Sequence, residues 1–199
     1  MPLLPITLLS SIVAATPTVP TPWFGMDDYP VRAFQRRQEG STAFEVVVTP
    51  DGRPASCNIV KSSGSDILDA RACAVTKNRI RFSPATDDHG QAAYGMYRSQ
   101  VNWALDPEKW SQSELGPDLM VSLSKLPAGA SGPVSMKYAL TIDASGKPTA
   151  CETLSALHSA TLGPLGCSKL MADMKVTPAR NESGAAVPSV RTAWITFTQ

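Results

Sequence analysis

The chain has 199 residues, room for one ordinary domain or two small ones, and carries 18 basic against 17 acidic side chains. That balance supplies no field for nucleic acid or an anionic membrane surface, and the clustered Lys and Arg with aromatic platforms of a nucleic-acid binder are missing. Pro and Gly never form a long low-complexity tract, so the composition is that of a folded chain rather than a disordered one.

The chain opens with an apolar run from Leu3 to Ala15 that ends in the small residues Val13-Ala14-Ala15 and is followed by Pro- and Thr-rich residues. The run is shorter than the roughly 20 apolar residues of a membrane span. Residues 1–15 therefore read as a secretory signal cleaved after Ala15, or as a short N-terminal anchor, and residues 16–27 as a linker. No Lys or Arg precedes the run. Thr42 to Thr49 then alternates, with Phe44, Val46 and Val48 on one face, which predicts a half-buried strand. Pro50-Asp51-Gly52 turns the chain, since Pro presets φ and Gly accepts a positive one. A second strand is expected from Ala55 to Lys61. A helix follows, with a Ser of Ser62-Ser63-Gly64-Ser65 as its cap, Asp66 and Asp69 in its positive first turn, and Leu68, Ala72 and Val75 on its inner face. The last strand of this half runs from Tyr94 to Ala104, Tyr97, Val101 and Trp103 facing inward and Arg98, Gln100 and Asn102 outward.

The same pattern returns. Cys57 and Cys73 are separated by 16 residues, and so are Cys151 and Cys167. Superposing the pairs at an offset of 94 brings Gly52 onto Gly146, Pro54 onto Pro148, Pro84-Ala85 onto Pro178-Ala179 and Gly90 onto Gly184. Upstream the offset is 92, with Gly40 on Gly132 and Phe44, Val46 and Val48 on Met136, Tyr138 and Leu140. These matches mark an internal duplication. The second unit's helix is expected to begin near Pro164, because Gly163-Pro164 interrupts the stretch and Pro suits a first helical position. Its last strand is expected around Val190 to Thr198, with Ala193, Ile195 and Phe197 inward. Leu119 to Leu126 is read as a short leading helix or strand. The fold class is α+β, two tandem small domains, each an antiparallel sheet packed against one or two helices. Their bounds are 28–105 and, in degenerate form, 131–199, with 106–130 as linker.

Four cysteines allow three pairings, and the repeat favours one bond within each unit, tying a strand to the helix after it. Export agrees with disulfides. Zinc would call for close pairs such as Cys-x-x-Cys, which are absent, as is a redox-active dithiol at that spacing.

Asp28-Tyr29-Pro30-Val31-Arg32-Ala33, Glu39-Gly40, the alternating strand, Pro50-Asp51-Gly52-Arg53, Ser62-Ser63-Gly64 and Arg79-Ile80-Arg81-Phe82-Ser83-Pro84-Ala85 together resemble the TonB C-terminal domain. Tyr29, Pro30, Gly40, Asp51, Gly52 and Pro84 carry the motif. The resemblance covers residues 28 to 105 well and 130 to 198 more weakly. It implies a periplasmic domain that binds an extended segment of an outer-membrane transporter by strand addition. The matching strand here comprises Tyr97, Arg98, Ser99, Gln100, Val101, Asn102 and Trp103. The charge balance argues against nucleic acid, and no phosphate loop or dinucleotide fingerprint calls for a cofactor or small-molecule substrate; a homodimer stays open, and an uncleaved N-terminus would associate the chain with the inner membrane. Energy transducers of this type also carry a membrane helix and a long Pro-rich spacer. Thr16 to Trp23, at ~3.1 Å per residue, reaches only roughly 25 Å. A periplasmic structural or assembly protein is the competing reading, and the state of the Tyr97–Trp103 edge separates the two. No catalytic constellation is expected. His89 and His158 have no His counterpart in the other unit, and Arg36, Arg37, Arg79 and Arg81 read as solvated face residues.

Overall fold

The computed structural model describes residues 11–19, 22–113 and 115–199. In chain order the main elements are α1 (Val31–Gln35), β1 (Gly40–Val48), β2 (Pro54–Lys61), α2 (Asp66–Arg79) and β3 (Ala92–Trp103). The second half supplies β4 (Val134–Ile142), β5 (Pro148–Thr153), α3 (Ser159–Asp173) and β6 (Ser189–Thr198). The class is α+β, and the order strand, strand, helix, long strand occurs in both halves. Both predicted disulfides are formed, Cys57–Cys73 between β2 and α2 and Cys151–Cys167 between β5 and α3, each with Cα atoms 5.5 Å apart. The two hairpin turns match in detail. Gly52 and Gly146 adopt φ of 80° and 88°, and a Cβ at either would overlap a carbonyl oxygen, of Phe82 or of Val176. Only glycine lets those backbones approach.

One sheet, rather than two, runs through the molecule in the order β5–β4–β6–β3–β1–β2. Its neighbours are antiparallel except at the centre, where Ser189–Arg191 of β6 pair in parallel with Tyr94–Met96 of β3. Successive side chains of a strand point to opposite faces, and the core assignments show what this junction does. Phe44, Val46, Val101 and Trp103 pack with Leu68, Ala72 and Val75 of α2, joined by Ala139 and Val190 from the second half. The second core takes the other face of β4 and β6, through Met136, Tyr138, Leu140, Ala193, Ile195 and Phe197, against Leu162 and Leu170 of α3. The helices therefore lie on opposite faces of a shared sheet.

Two expectations are corrected. Ser65 precedes α2 without a side-chain cap bond; the serines bond Asp69 instead. Asp69, in the first turn as expected, is a buried acceptor. The second helix starts at Ser159, with His158 in the left-handed region before it, and Pro164 lies inside it. That helix is held by burial of Leu162 and Leu170, and Gly166 gives room to the Tyr138 ring, whose hydroxyl donates to the Leu162 carbonyl at 2.9 Å. Leu119–Ser122 resolves as a strand, parallel to Ile195–Thr198.

Of the expected leader, residues 1–10 lie outside the described residues. Residues 11–17 form a strap across the sheet. Val13 exchanges two 2.9 Å backbone hydrogen bonds with Thr86, Thr16–Pro17 pair with Phe82–Ser83, and Ile12 and Ala15 are buried in the first core. Among the described residues no helix is long and apolar enough to cross a membrane.

Closing a loop of this length contributes about 3 kcal/mol in the chain-entropy model. Cys57→Ala with Cys73→Ala is expected to lower the urea-unfolding free energy by that order while leaving the far-UV circular dichroism unchanged; equal stability with and without the bond would refute it.

Candidate functional site

The strand singled out by the motif, Tyr97–Trp103, is the lower half of β3. Its inner side is fully paired, from Gly40↔Trp103 to Val48↔Gly95. The sequence leaves open whether the other side is free or paired, and in the structure it is paired. Ser111–Ser113 of the interdomain segment lie antiparallel against it, Gln100 opposite Ser113, Val101 opposite Gln112 and Asn102 opposite Ser111. Above them Tyr94–Met96 are taken by β6. A central strand with unpaired amides and carbonyls would leave costly polar groups or invite foreign strands; two segments of the same chain close it.

The added segment is fastened beyond its ladder. Asn102 Nδ2 donates to the Lys109 carbonyl at 2.6 Å and Ser99 Oγ to the Ser113 carbonyl at 3.1 Å. Gln112 Oε1 accepts from the Trp23 amide at 3.0 Å. Trp110 packs edge-on against Trp103, with ring centroids 6.3 Å apart. The outward residues of β3 thus divide: Gln100 and Asn102 meet this segment, while Arg98 does not lie on a solvated edge.

Arg98 belongs to a charged group at the junction of the halves. Its Nη1 and Arg191 Nη2 both donate to Asp118 Oδ1, the second at 3.0 Å. Asp118 Oδ2 accepts from the Trp194 amide at 3.0 Å. Glu45, paired with Arg98 across the ladder, stands 3.8 Å from Arg98 Nε, too far for a hydrogen bond. Burial raises the Glu45 pKa, against the attraction of Arg191 and Arg98. Burial likewise lowers that of Arg191, against Asp118 and Glu45.

Two further buried carboxylates pin the motif residues. Asp28, just before Tyr29-Pro30, accepts from Arg79 at 2.9 Å and from Arg71 at 2.8 Å. It also accepts from the Gly25 amide at 2.9 Å. Burial pushes its pKa up, but the bonds from Arg79 and Gly25 prevail and hold it below the usual carboxylate range. Arg79, read from the sequence as a solvated face residue, is in fact this partner. Asp69 accepts from Thr42, Ser62 and Ser63, and Trp103 Nε1 donates to the same Thr42 hydroxyl at 2.9 Å. This chain of bonds ties α2 to β1 and to the end of β3. Burial raises the Asp69 pKa and those donors, Ser62 first, more than reverse it.

Of the other motif residues, Tyr29 packs edge-on to Trp103 and donates to the Gln38 carbonyl. Asp51 and Gly52 form the hairpin turn, and Pro84 separates the short strands Phe82–Ser83 and Ala85–Thr86. These residues shape the scaffold. Asp118 and Arg191 had no signal in the sequence, because neither lies in a repeated motif. The one three-residue grouping of possible metal ligands among the described residues, Asp87-Asp88-His89, is an exposed turn with no buried donor.

An α+β unit with helix and disulfide on one side of a sheet, and a central strand that accepts an added strand, is the class of domain this geometry defines. Residues 27–105 match the family model of the C-terminal domain of the Gram-negative bacterial TonB protein. No curated protein and no solved structure matches the chain. The match spans α1 through β3, and over that stretch the chain is similar to that family.

Both Asp28 and Asp69 have folded-state pKa values below their ordinary ones, so the stability they confer is present above about pH 4 and is lost as pH falls through the folded values. Asp69→Asn is expected to cost about 2 kcal/mol at pH 7, as for hydrogen bonds to a charged group. It should also flatten the fall in stability below pH 4, read by urea titrations at several pH values; an unchanged acid slope would exclude the assignment.

Proposed function

We propose that the chain is a periplasmic, non-catalytic protein-binding module of the TonB type, serving outer-membrane transport by taking an extended segment of a transporter on β3. The observation that carries this reading is Ser111–Ser113, a three-residue polar strand of the chain itself lying antiparallel on Gln100–Asn102. The position accepts an added strand, and its occupant is short enough to be exchanged. Binding would then replace the ladder of Ser111–Ser113 with a longer one. The second half is, in this proposal, a degenerate copy of the same domain, supported by the matching disulfides and glycine turns. Export directed by residues 1–15, kept as a short N-terminal anchor because Ile12 and Ala15 are part of the core, belongs to the same proposal, as does the absence of direct energy coupling.

A structural or assembly role is the second reading. It is favoured by the parallel pairing of Tyr94–Met96 with β6, which commits the upper part of the strand to the other half of the molecule.

The two separate in an NMR titration of the chain with capped peptides from the periplasm-facing N-terminal segments of outer-membrane transporters. Strand exchange predicts shifts on the amides of Gln100–Asn102 and Ser111–Ser113. Gln112→Pro removes a backbone donor and both Gln112 side-chain bonds, and should tighten binding about tenfold, the equivalent of roughly 1.4 kcal/mol. No shift at millimolar peptide in either protein would leave the structural role.

A further inference from the structure

The opposed halves create two related clefts, one behind each half of the sheet. Behind the second half, Lys137, Leu154 and Thr192 line a cleft that is spanned by residues 11–16. Behind the first half, their counterparts in the repeat, Glu45, Val60 and Arg98, line a cleft of about 430 Å³. The correspondence extends across the central junction. Tyr97 of β3 closes the strapped cleft, and Arg191, its counterpart on β6, closes the other. In the strapped cleft an extended, uncharged stretch, Ser11 to Thr16, crosses the sheet. Ile12 is buried, its amide donates to Glu152 Oε2 at 2.8 Å, and Val13 exchanges backbone hydrogen bonds with Thr86. In the first-half cleft no segment takes that course among the described residues. Among the described residues the backbone of Arg180, the counterpart of Thr86, pairs with Ala186 alone.

We propose that this second cleft is a docking site for an extended, uncharged, apolar segment of a partner protein, lying as the strap lies on the opposite face. Three features select such an occupant. The lining contains Val60, Leu119, Met174 and Val176, which call for apolar side chains. The ionic lining is balanced, Arg98, Lys175 and Arg191 against Glu45, Asp118 and Asp173, so neither a cationic nor an anionic peptide gains from entering. Finally, Arg98 Nε is buried with no acceptor, and the Glu45 carboxylate, 3.8 Å away, receives no hydrogen bond among the described residues. An extended residue turns its own N–H and C=O to the same side, one donor and one acceptor, and so can meet both groups. Arg180 offers its backbone to the same segment, as Thr86 does to Val13. This site lies on the face of β3 rather than along its margin, so it is independent of strand exchange at Gln100–Asn102.

The strap sequence itself is the natural probe. A capped peptide of residues 11–17, acetyl-Ser-Ile-Val-Ala-Ala-Thr-Pro-amide, is titrated into the full chain, where the tethered strap outcompetes it for the first cleft. Expected are saturable shifts of the Val60, Leu119 and Arg180 amides and of the Arg98 Nε–H resonance. Val60→Arg, at an exposed position on the outer strand, should weaken binding at least about tenfold without lowering the melting temperature. Replacing the central Ala of the probe by Asp or by Lys should weaken it similarly. Shifts confined to Gln100–Asn102 would overturn the cleft assignment while supporting strand exchange. Absence of shifts at millimolar probe would overturn it as well, and a dimer of the free chain that Val60→Arg dissociates would assign the cleft to a second copy instead.

Discussion

The outer side of β3 governs this molecule. A strand of twelve residues, paired along one side with β1, presents a row of amides and carbonyls on the other that water or another strand has to satisfy. The chain satisfies it twice, with β6 above and Ser111–Ser113 below. Because β6 is the equivalent strand of the second half and pairs in parallel, the halves meet in mirrored strand order, and their helices are forced to opposite faces. That geometry in turn brings Arg98 and Arg191 together on one face, a burden two cations could not carry without a carboxylate. Asp118, delivered by the interdomain segment, accepts from both.

Buried acids recur as fasteners, and each joins elements distant in sequence. Asp28 holds the entry to α1 against the two arginines of α2, and Asp69 holds α2 against β1 through Thr42. Desolvation opposes each charge, and several donors converge to offset it. Removing any one acid strands its donors, so such sites respond to mutation more sharply than exposed ion pairs like Arg53–Asp51.

Much of this was legible in the residues. The two cysteine pairs at equal spacing gave the disulfides, because a duplicated spacing is hard to explain except by a duplicated staple. Alternation at Phe44, Val46 and Val48 gave β1, and the glycine at position 52 gave the turn whose φ only glycine adopts cheaply. What escaped depends on contacts that no local pattern encodes. Gly163-Pro164 reads as a break, yet tertiary burial of Leu162 and Leu170 carries the helix through it. Arg98 alternates onto the outer face, as polar edge residues do, and nothing along β3 signals that β6 and Asp118 will cover it. The joining of two sheets into one rests on three paired residues, a signal far weaker than the hydrophobic period of either strand.

The shared order of elements in the two halves also supplies a comparison within a single chain. Where the halves retain the same residues, as at the glycine turns, the constraint is the fold, since both need the same backbone approach. Where they diverge at equivalent positions, Glu45 against Lys137 and Arg98 against Thr192, the fold tolerates either and the difference concerns what each cleft holds. Behind the second half the occupant is the chain's own strap, and the apolar run near the N-terminus doubles as core through Ile12 and Ala15. Behind the first half the charges have been gathered and balanced, Arg98 Nε is left without an acceptor, and the matching backbone at Arg180 pairs on one side only. A buried donor without an acceptor costs stability, and a protein that had no use for the cleft could remove that cost with an apolar residue at position 98. The arrangement is intelligible once a peptide group from outside completes it.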